Sequence, residues 1–207
     1  MKDTEVNNVK VIQETLPAAL SYTQYLEHIQ NEMVKEPANE EEKMMQDYTK
    51  LNATRINRLD KRQEVPKDIK DKIESISKNI YWIVLTEGWC GDAAQSVPVL
   101  NKLQELNSHI EMKLVLRDEN LELMDRYLTN GGRSIPKLII YDPETEKVLG
   151  TWGPRPAAAA KLLLDYKAKH GVIDGPIKQE LQLWYNKNKG QDLMEEIVEL
   201  HQHIMNL

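Results

Sequence analysis

The chain of 207 residues contains one cysteine, Cys90, which follows a β-prone run and precedes a helix-forming segment. At a helix N-terminus, free N–H groups and the helix dipole favour a thiolate, which lowers the pKa of a cysteine and makes its sulfur nucleophilic. A lone cysteine is otherwise a small apolar side chain that fills space in a core. The position of Cys90 indicates a nucleophile, with the structural role as the alternative.

Other chemistries find little support in the composition. A single cysteine excludes an internal disulfide framework, and the five histidines are scattered, so we expect no metal site. His201 and His203 stand near the C-terminus, where we expect them on a helix surface. The formal net charge is −6, with 33 acidic against 27 basic residues. We therefore expect no nucleic-acid partner and no attraction to anionic membranes.

Hydrophobic patterning bears on location as well as on structure. The longest apolar runs, such as 80–85, are too short to span a bilayer, and the N-terminus lacks the apolar stretch of a signal peptide. These features predict a cytoplasmic protein that has no membrane partner.

The elements that must position Cys90 follow from periodicity. A near-continuous apolar run over 80–85 predicts a strand buried on both faces. A helix over 41–62 is expected to have an apolar face made of Met44, Met45, Tyr48, Leu51, Ile56 and Leu59. Strands are predicted over 80–85, 110–116, 137–141 and 147–152, and helices over about 21–36, 41–62, 67–77, 93–106, 120–128, 156–169, 177–186 and 191–205. The order is helices, then β-α-β-α-β-β-α, then helices.

Two motifs in this order of elements resemble the thioredoxin family. Trp89-Cys90-Gly91-Asp92-Ala93 resembles the Trp-Cys-Gly-x-Cys active-site motif that follows the first central strand of that family, and Ser134-Ile135-Pro136 resembles the cis-proline loop that faces the cysteine. The resemblance covers about 79–171. It implies an α/β thioredoxin fold, a central mixed sheet flanked by helices, with helical extensions over 1–78 and 172–207.

The departures from the family concern the second half of its reaction. Ala93 stands where the family has its resolving cysteine, and Val84 stands where it has a buried acid thought to help deprotonate that thiol. A mixed disulfide on Cys90 would therefore need an external thiol, such as glutathione, for release. Asp92 replaces a common proline; we expect it at the cap or in the first turn of the helix, where its charge would raise the Cys90 pKa if it lay near the sulfur.

The resemblance also implies a substrate surface. Trp89 would lie beside the thiol, and the backbone at Ile135 and Pro136 would pair with an extended substrate. The loop after the last predicted strand would bring Trp152 and Arg155 to the same cleft, with Arg133 just before the proline loop. Arginines facing Cys90 would stabilise a thiolate and attract an anionic partner such as glutathione; the alternative is a capped loop with solvated arginines.

Three functions are compatible with these residues. The first is a single-cysteine thiol-disulfide oxidoreductase that acts on protein or low-molecular-weight thiols and disulfides, without a resident cofactor. The second is a redox-inactive binding or scaffold protein that keeps the fold and uses the helical extensions for docking. The third is iron-sulfur cluster binding by a dimer, as in monothiol glutaredoxins, which usually carry a different loop, Cys-Gly-x-Ser.

Overall fold

A mixed β-sheet lies at the centre of the computed structural model, which describes residues 2–205 and the side chains of residues 7–204. In this part of the chain the strands are β1 (Ile80–Thr86), β2 (Ile110–Leu116), β3 (Lys137–Asp142) and β4 (Lys147–Trp152), in the order β2-β1-β3-β4. β1 pairs parallel with β2 and antiparallel with β3, which pairs antiparallel with β4. The predicted strands are confirmed, β2 and β4 at the predicted boundaries.

Helices surround this sheet. They are α1 (Lys2–Thr15), α2 (Tyr22–Val34), α3 (Glu40–Arg62), α4 (Lys67–Glu74), α5 (Gly91–Gln104), α6 (Leu121–Arg126), α7 (Ala157–His170), α8 (Gly175–Asn188) and α9 (Gln191–Met205). The sequence did not predict α1, whose first residues are mostly polar. α5 begins two residues before the predicted start, because the Cys90 sulfur accepts the N–H of Ala93 and so caps the helix.

The central strand explains where the site lies. β1 is buried along its length except at Tyr81, since it has strands on both sides and helices on both faces. Val84 lies opposite Leu114 of β2 and Leu138 of β3, and all three are fully buried. The position at which the resemblance would imply a buried acid is thus an apolar core contact. The chain leaves β1 directly into the loop that carries Cys90.

One face of α3 was predicted wrongly. Met44, Tyr48 and Leu51 were expected to be buried, but they are between 44% and 49% exposed. Ile56 of the predicted face is buried as expected, but the other buried residues of the helix are the polar Thr49 and Asn52. The reason is that this part of α3 packs against the polar backbone of the loop before Cys90, which a polar side chain can satisfy and an apolar one cannot.

The helical extensions share a core with the sheet. Ile29 of α2, Ile56 of α3, Ile73 of α4 and Ile197 of α9 belong to the same buried apolar cluster as the strands. The segment before α2 also pairs with the edge of the sheet through backbone hydrogen bonds between Leu20 and Leu114 of 2.7 and 2.8 Å. The sheet and its extensions therefore enclose one main core, while the domain boundaries at 78 and 171 stay a prediction.

Candidate active site

Cys90 caps the N-terminus of α5 at the carboxyl end of β1. Its Sγ accepts the N–H of Ala93 at 3.5 Å and donates its proton to the carbonyl oxygen of Ile135 at 3.3 Å. The residue is 8% exposed. The structure thus brings together the two motifs that the sequence analysis paired, the cysteine loop and the proline loop.

The surroundings of the thiol favour its protonated form. Burial is the largest of the causes that raise the pKa of Cys90 to about 12, and the charge of Asp92 adds to it. The N–H of Ala93 and the charge of Arg155 act in the opposite direction without prevailing. The N–H groups of the helix N-terminus thus lower this pKa, as expected, but the expected net lowering is wrong, because loss of hydration and a nearby carboxylate outweigh them. The expected effect of Asp92 is confirmed.

Asp92 lies in the first turn of α5, as predicted, and is the centre of a buried polar cluster. Its Oδ2 is 2.6 Å from Nη2 of Arg155, and its Oδ1 accepts the hydroxyl proton of Tyr185 at 2.8 Å. Burial raises the pKa of Asp92, while Arg155 and Tyr185 lower it. Arg155 therefore lies near Cys90, as predicted, but its charge is partly neutralised by Asp92.

Two elements of the extensions cover the cysteine loop. From α8, Tyr185 reaches Asp92, and the Gln182 side chain accepts a hydrogen bond from Gln95 of α5 at 2.9 Å. From α3, Asn52 donates from its amide nitrogen to the carbonyl of Gly88 at 2.9 Å and is fully buried. These contacts hold α3 and α8 against residues that precede and follow Cys90 in the chain.

The proline loop closes the other side of the cysteine. The peptide bond between Ile135 and Pro136 is cis, which confirms the predicted conformation. Gly153 packs directly on this loop at a φ of +110°, and a Cβ there would lie 2.3 Å from the Pro136 carbonyl oxygen. Only glycine combines this φ with so close an approach of two backbones.

The remaining predicted site residues each contact side chains other than that of Cys90. Trp89 is half-buried, with the Arg117 guanidinium 4.8 Å from its ring centre. Arg133 forms a two-pronged ion pair with Asp125, at 2.7 and 2.8 Å. Trp152 is 8% exposed and donates its ring N–H to Glu196 of α9 at 2.6 Å. In this structure Arg133 is therefore held at the surface, and Trp152 is held under α9.

Three polar residues of the site region were not singled out from the sequence: Asn52, Glu87 and Tyr185. Tyr185 follows Ile177 and Leu181 at four-residue spacing, which signals a buried position but not its partner Asp92. Glu87 is 7% exposed, and its Oε1 accepts the N–H of Asp118 at 2.8 Å. A carboxylate between a buried strand and the cysteine was the available signal for Glu87.

His201 was expected on a helix surface, and this prediction is wrong. It is 4% exposed, and its Nε2 accepts the indole N–H of Trp82 at 3.1 Å while the two rings stack with centres 5.5 Å apart. Burial lowers the pKa of His201 to about 4. His203 is exposed, as expected.

This arrangement of β1, cysteine-capped α5 and cis-proline loop defines a thioredoxin-like protein. A sequence model of the family described as Thioredoxin matches residues 38–169. The chain belongs to this thioredoxin family, and the predicted fold class is confirmed. The match begins within the N-terminal extension, before α3.

Two solved structures share the fold. A crystal structure of a protein of unknown function from Pseudomonas aeruginosa has a TM-score of 0.65 at 16% identity, over 92% of this chain and 96% of that one. A crystal structure of an HIV epitope-scaffold has a TM-score of 0.57 at 15% identity, over 89% and 99% of the two chains. Both alignments extend well beyond the sheet. No curated protein matches the sequence, and no helix among residues 2–205 is long and apolar enough to cross a membrane.

Proposed function

We propose that the protein is a monothiol thiol-disulfide oxidoreductase that acts through Cys90. The observation that carries the proposal is the contact of 3.3 Å between Sγ and the carbonyl of Ile135, directly before the cis Pro136. An extended substrate that pairs with the backbone at Ile135 would have its disulfide next to this sulfur. The same loop therefore supports binding and attack.

The reaction begins with loss of the Cys90 proton to solvent. The thiolate attacks one sulfur of a protein or low-molecular-weight disulfide, a bond forms between the two sulfurs, and the second substrate sulfur leaves as a thiolate. Because Ala93 provides no second thiol, an external thiol such as glutathione attacks the mixed disulfide and releases Cys90. No resident cofactor takes part.

The covered state must open for this reaction. Asp92 favours the protonated thiol, and α8 packs on the helix that Cys90 caps through Tyr185 and Gln182. We expect a substrate to displace these contacts before attack. Arg155 is the group that would then favour the thiolate, because it lowers the Cys90 pKa even in the covered state. A cytoplasmic location, where glutathione is abundant as a resolving thiol, belongs to this proposal.

Glutathione disulfide tests the proposal directly. The native protein is incubated with it, and the mixed disulfide is measured by intact mass spectrometry, with Cys90→Ser as the control variant. We expect an adduct on the native protein, no adduct on the control, and release of the adduct by reduced glutathione. Urea-unfolded protein is the positive control, in which we expect the accessible Cys90 thiol to form the adduct.

One structural observation favours the alternative, a thioredoxin-fold binding or scaffold protein. Cys90 is buried, and its raised pKa leaves almost no thiolate at neutral pH. If the unfolded chain forms the adduct and the native protein forms none over hours, the oxidoreductase proposal is refuted and the binding function stands.

A further inference from the structure

A groove of about 510 Å³ lies beside the cysteine loop and is separate from the thiol. α2 and α3 form one wall, and the opposite wall is formed by Glu87 to Trp89 and by the turn that carries Asp118 and Glu119. The volume is in the range of sites that hold a small ligand or a few residues of a peptide. The groove ends at Trp89, one residue before Cys90.

The groove carries an excess of negative charge. Lys35 is the one lysine or arginine among the lining residues. Six carboxylates line the groove: Glu32, Glu41, Glu42, Glu87, Asp118 and Glu119. Several of these are engaged within the protein. Glu42 accepts the N–H of Ala38 at 2.8 Å, and Asp118 pairs with Arg117 at 2.6 Å. Glu41 and Glu119 are exposed and form no hydrogen bond or ion pair with any residue whose side chain the structure describes.

A second observation points into the groove. Glu87 is 7% exposed and lines the groove, yet only its Oε1 has a donor, the N–H of Asp118. Its other carboxylate oxygen has no donor among the described residues. Burial raises the pKa of Glu87 to about 7. This second oxygen is not fully enclosed. Because Glu87 lines the groove, a cationic side chain there could donate to it.

Apolar surface continues from the groove. Ile29, Met45 and Trp89 contribute apolar lining, and Met44 and Tyr48, on the adjacent face of α3, are 49% and 44% exposed. An exposed apolar strip beside an acidic groove suits a chain segment that carries both apolar and basic side chains. The apolar strip together with the acidic groove is larger than the surface that a small cation would cover.

We propose that this groove binds a protein segment that carries lysine or arginine next to apolar residues. The occupant is a partner protein, whose cationic side chains pair with Glu41, Glu119 and Glu87 while its apolar side chains lie on Trp89 and Met45. The inference does not require a reactive Cys90, since none of these groups is the thiol.

Fluorescence anisotropy of a labelled hexapeptide of alternating Lys and Leu tests the proposal, with the alternating Glu and Leu peptide as the negative probe. We expect binding of the basic peptide alone, weakened by added salt. The double variant Glu41→Gln/Glu119→Gln should bind about threefold to tenfold more weakly, as for two exposed charge pairs. Cys90→Ser should bind as the native protein does, which separates this inference from the redox proposal.

The matched control is Glu180→Gln/Glu199→Gln, which removes two exposed carboxylates from α8 and α9. An equal loss of binding in this control would show a general charge effect and overturn the proposal. Absence of binding at low salt would overturn it too. Spermine that displaces the labelled peptide as well as unlabelled peptide does, at the same concentration of amine groups, would also overturn it. Positive charge alone would then account for binding, without a protein segment.

Discussion

Two buried groups should make opposite contributions to the pH dependence of stability. Burial raises the pKa of Glu87 from 4.5 to about 7 and lowers that of His201 from 6.5 to about 4. Between these values the folded state binds a proton at Glu87 that the unfolded state has lost, and it excludes a proton at His201 that the unfolded state has gained. Rising pH therefore destabilises the protein through Glu87 and stabilises it through His201.

The contributions of Glu87 and His201 to the pH dependence of stability nearly cancel. Each pKa differs from its ordinary value by about 2.5, and one pKa unit corresponds to 1.36 kcal/mol, so each group changes the free energy of unfolding by about 3 kcal/mol. The windows overlap between about pH 4.5 and 6.5. Together the two groups leave the free energy of unfolding almost unchanged across this range.

Single substitutions should separate the two effects. Glu87→Gln keeps an acceptor for the N–H of Asp118, and His201→Gln keeps one for the indole of Trp82. Urea unfolding followed by circular dichroism gives the free energy of unfolding at each pH. Relative to the native protein, Glu87→Gln should gain about 3 kcal/mol as pH rises from 4.5 to 7, and His201→Gln should gain about 3 kcal/mol as pH falls from 6.5 to 4.

The comparison with the native protein removes the contributions of all other titrating groups, because they are common to the three proteins. Curves that stay parallel to that of the native protein from pH 4 to 7 would refute the reasoning, since neither group would then have a shifted pKa. Slopes of equal sign in the two variants would refute it as well.

Other predictions concern the packing around the thiol. Gly153→Ala should lower the free energy of unfolding by about 3 kcal/mol or more, since it combines a strained φ with a clash. Gly171→Ala, at a φ of +78° with open space, should lower it by only about 1–2 kcal/mol. Urea unfolding measures both changes, and equal values would contradict the clash at Gly153. Asn52→Ala should cost about 1–3 kcal/mol by leaving the Gly88 carbonyl buried without its donor, which the same assay measures, and a neutral result would show that water replaces the amide. Asp92→Asn should lower the Cys90 pKa, seen as faster iodoacetamide labelling at a fixed pH below 9, and an unchanged rate would show that burial alone controls the thiol.

The fold was largely predictable from the sequence because its signals are local. The apolar run at 80–85, the strand at 110–116 and the hairpin strands each have a period that identifies them without tertiary information. Ser21 predicted the start of α2 and forms a capping box with Gln24. α1 was missed because its burial, as at Ile12, depends on the surface that it meets rather than on a strong pattern of its own.

The site was predictable only in part. Cys90, its loop and Pro136 could be placed by motif, and Asp92 by position. The protonation state of the thiol could not be predicted, because the pKa of Cys90 depends on its burial and on a carboxylate held by Arg155 and Tyr185. These partners are 63 and 93 residues away from Asp92 along the chain, and no local pattern specifies such pairs.

The hydrogen bond from Asn52 to Gly88 has a mechanical consequence. α3 is a helix of 23 residues, about 35 Å long, whose first turn lines the acidic groove and whose middle holds the peptide group two residues before Cys90. One wall of the groove and the peptide group before the sulfur are therefore attached to the same helix, so the stiffness of α3 fixes the distance between them.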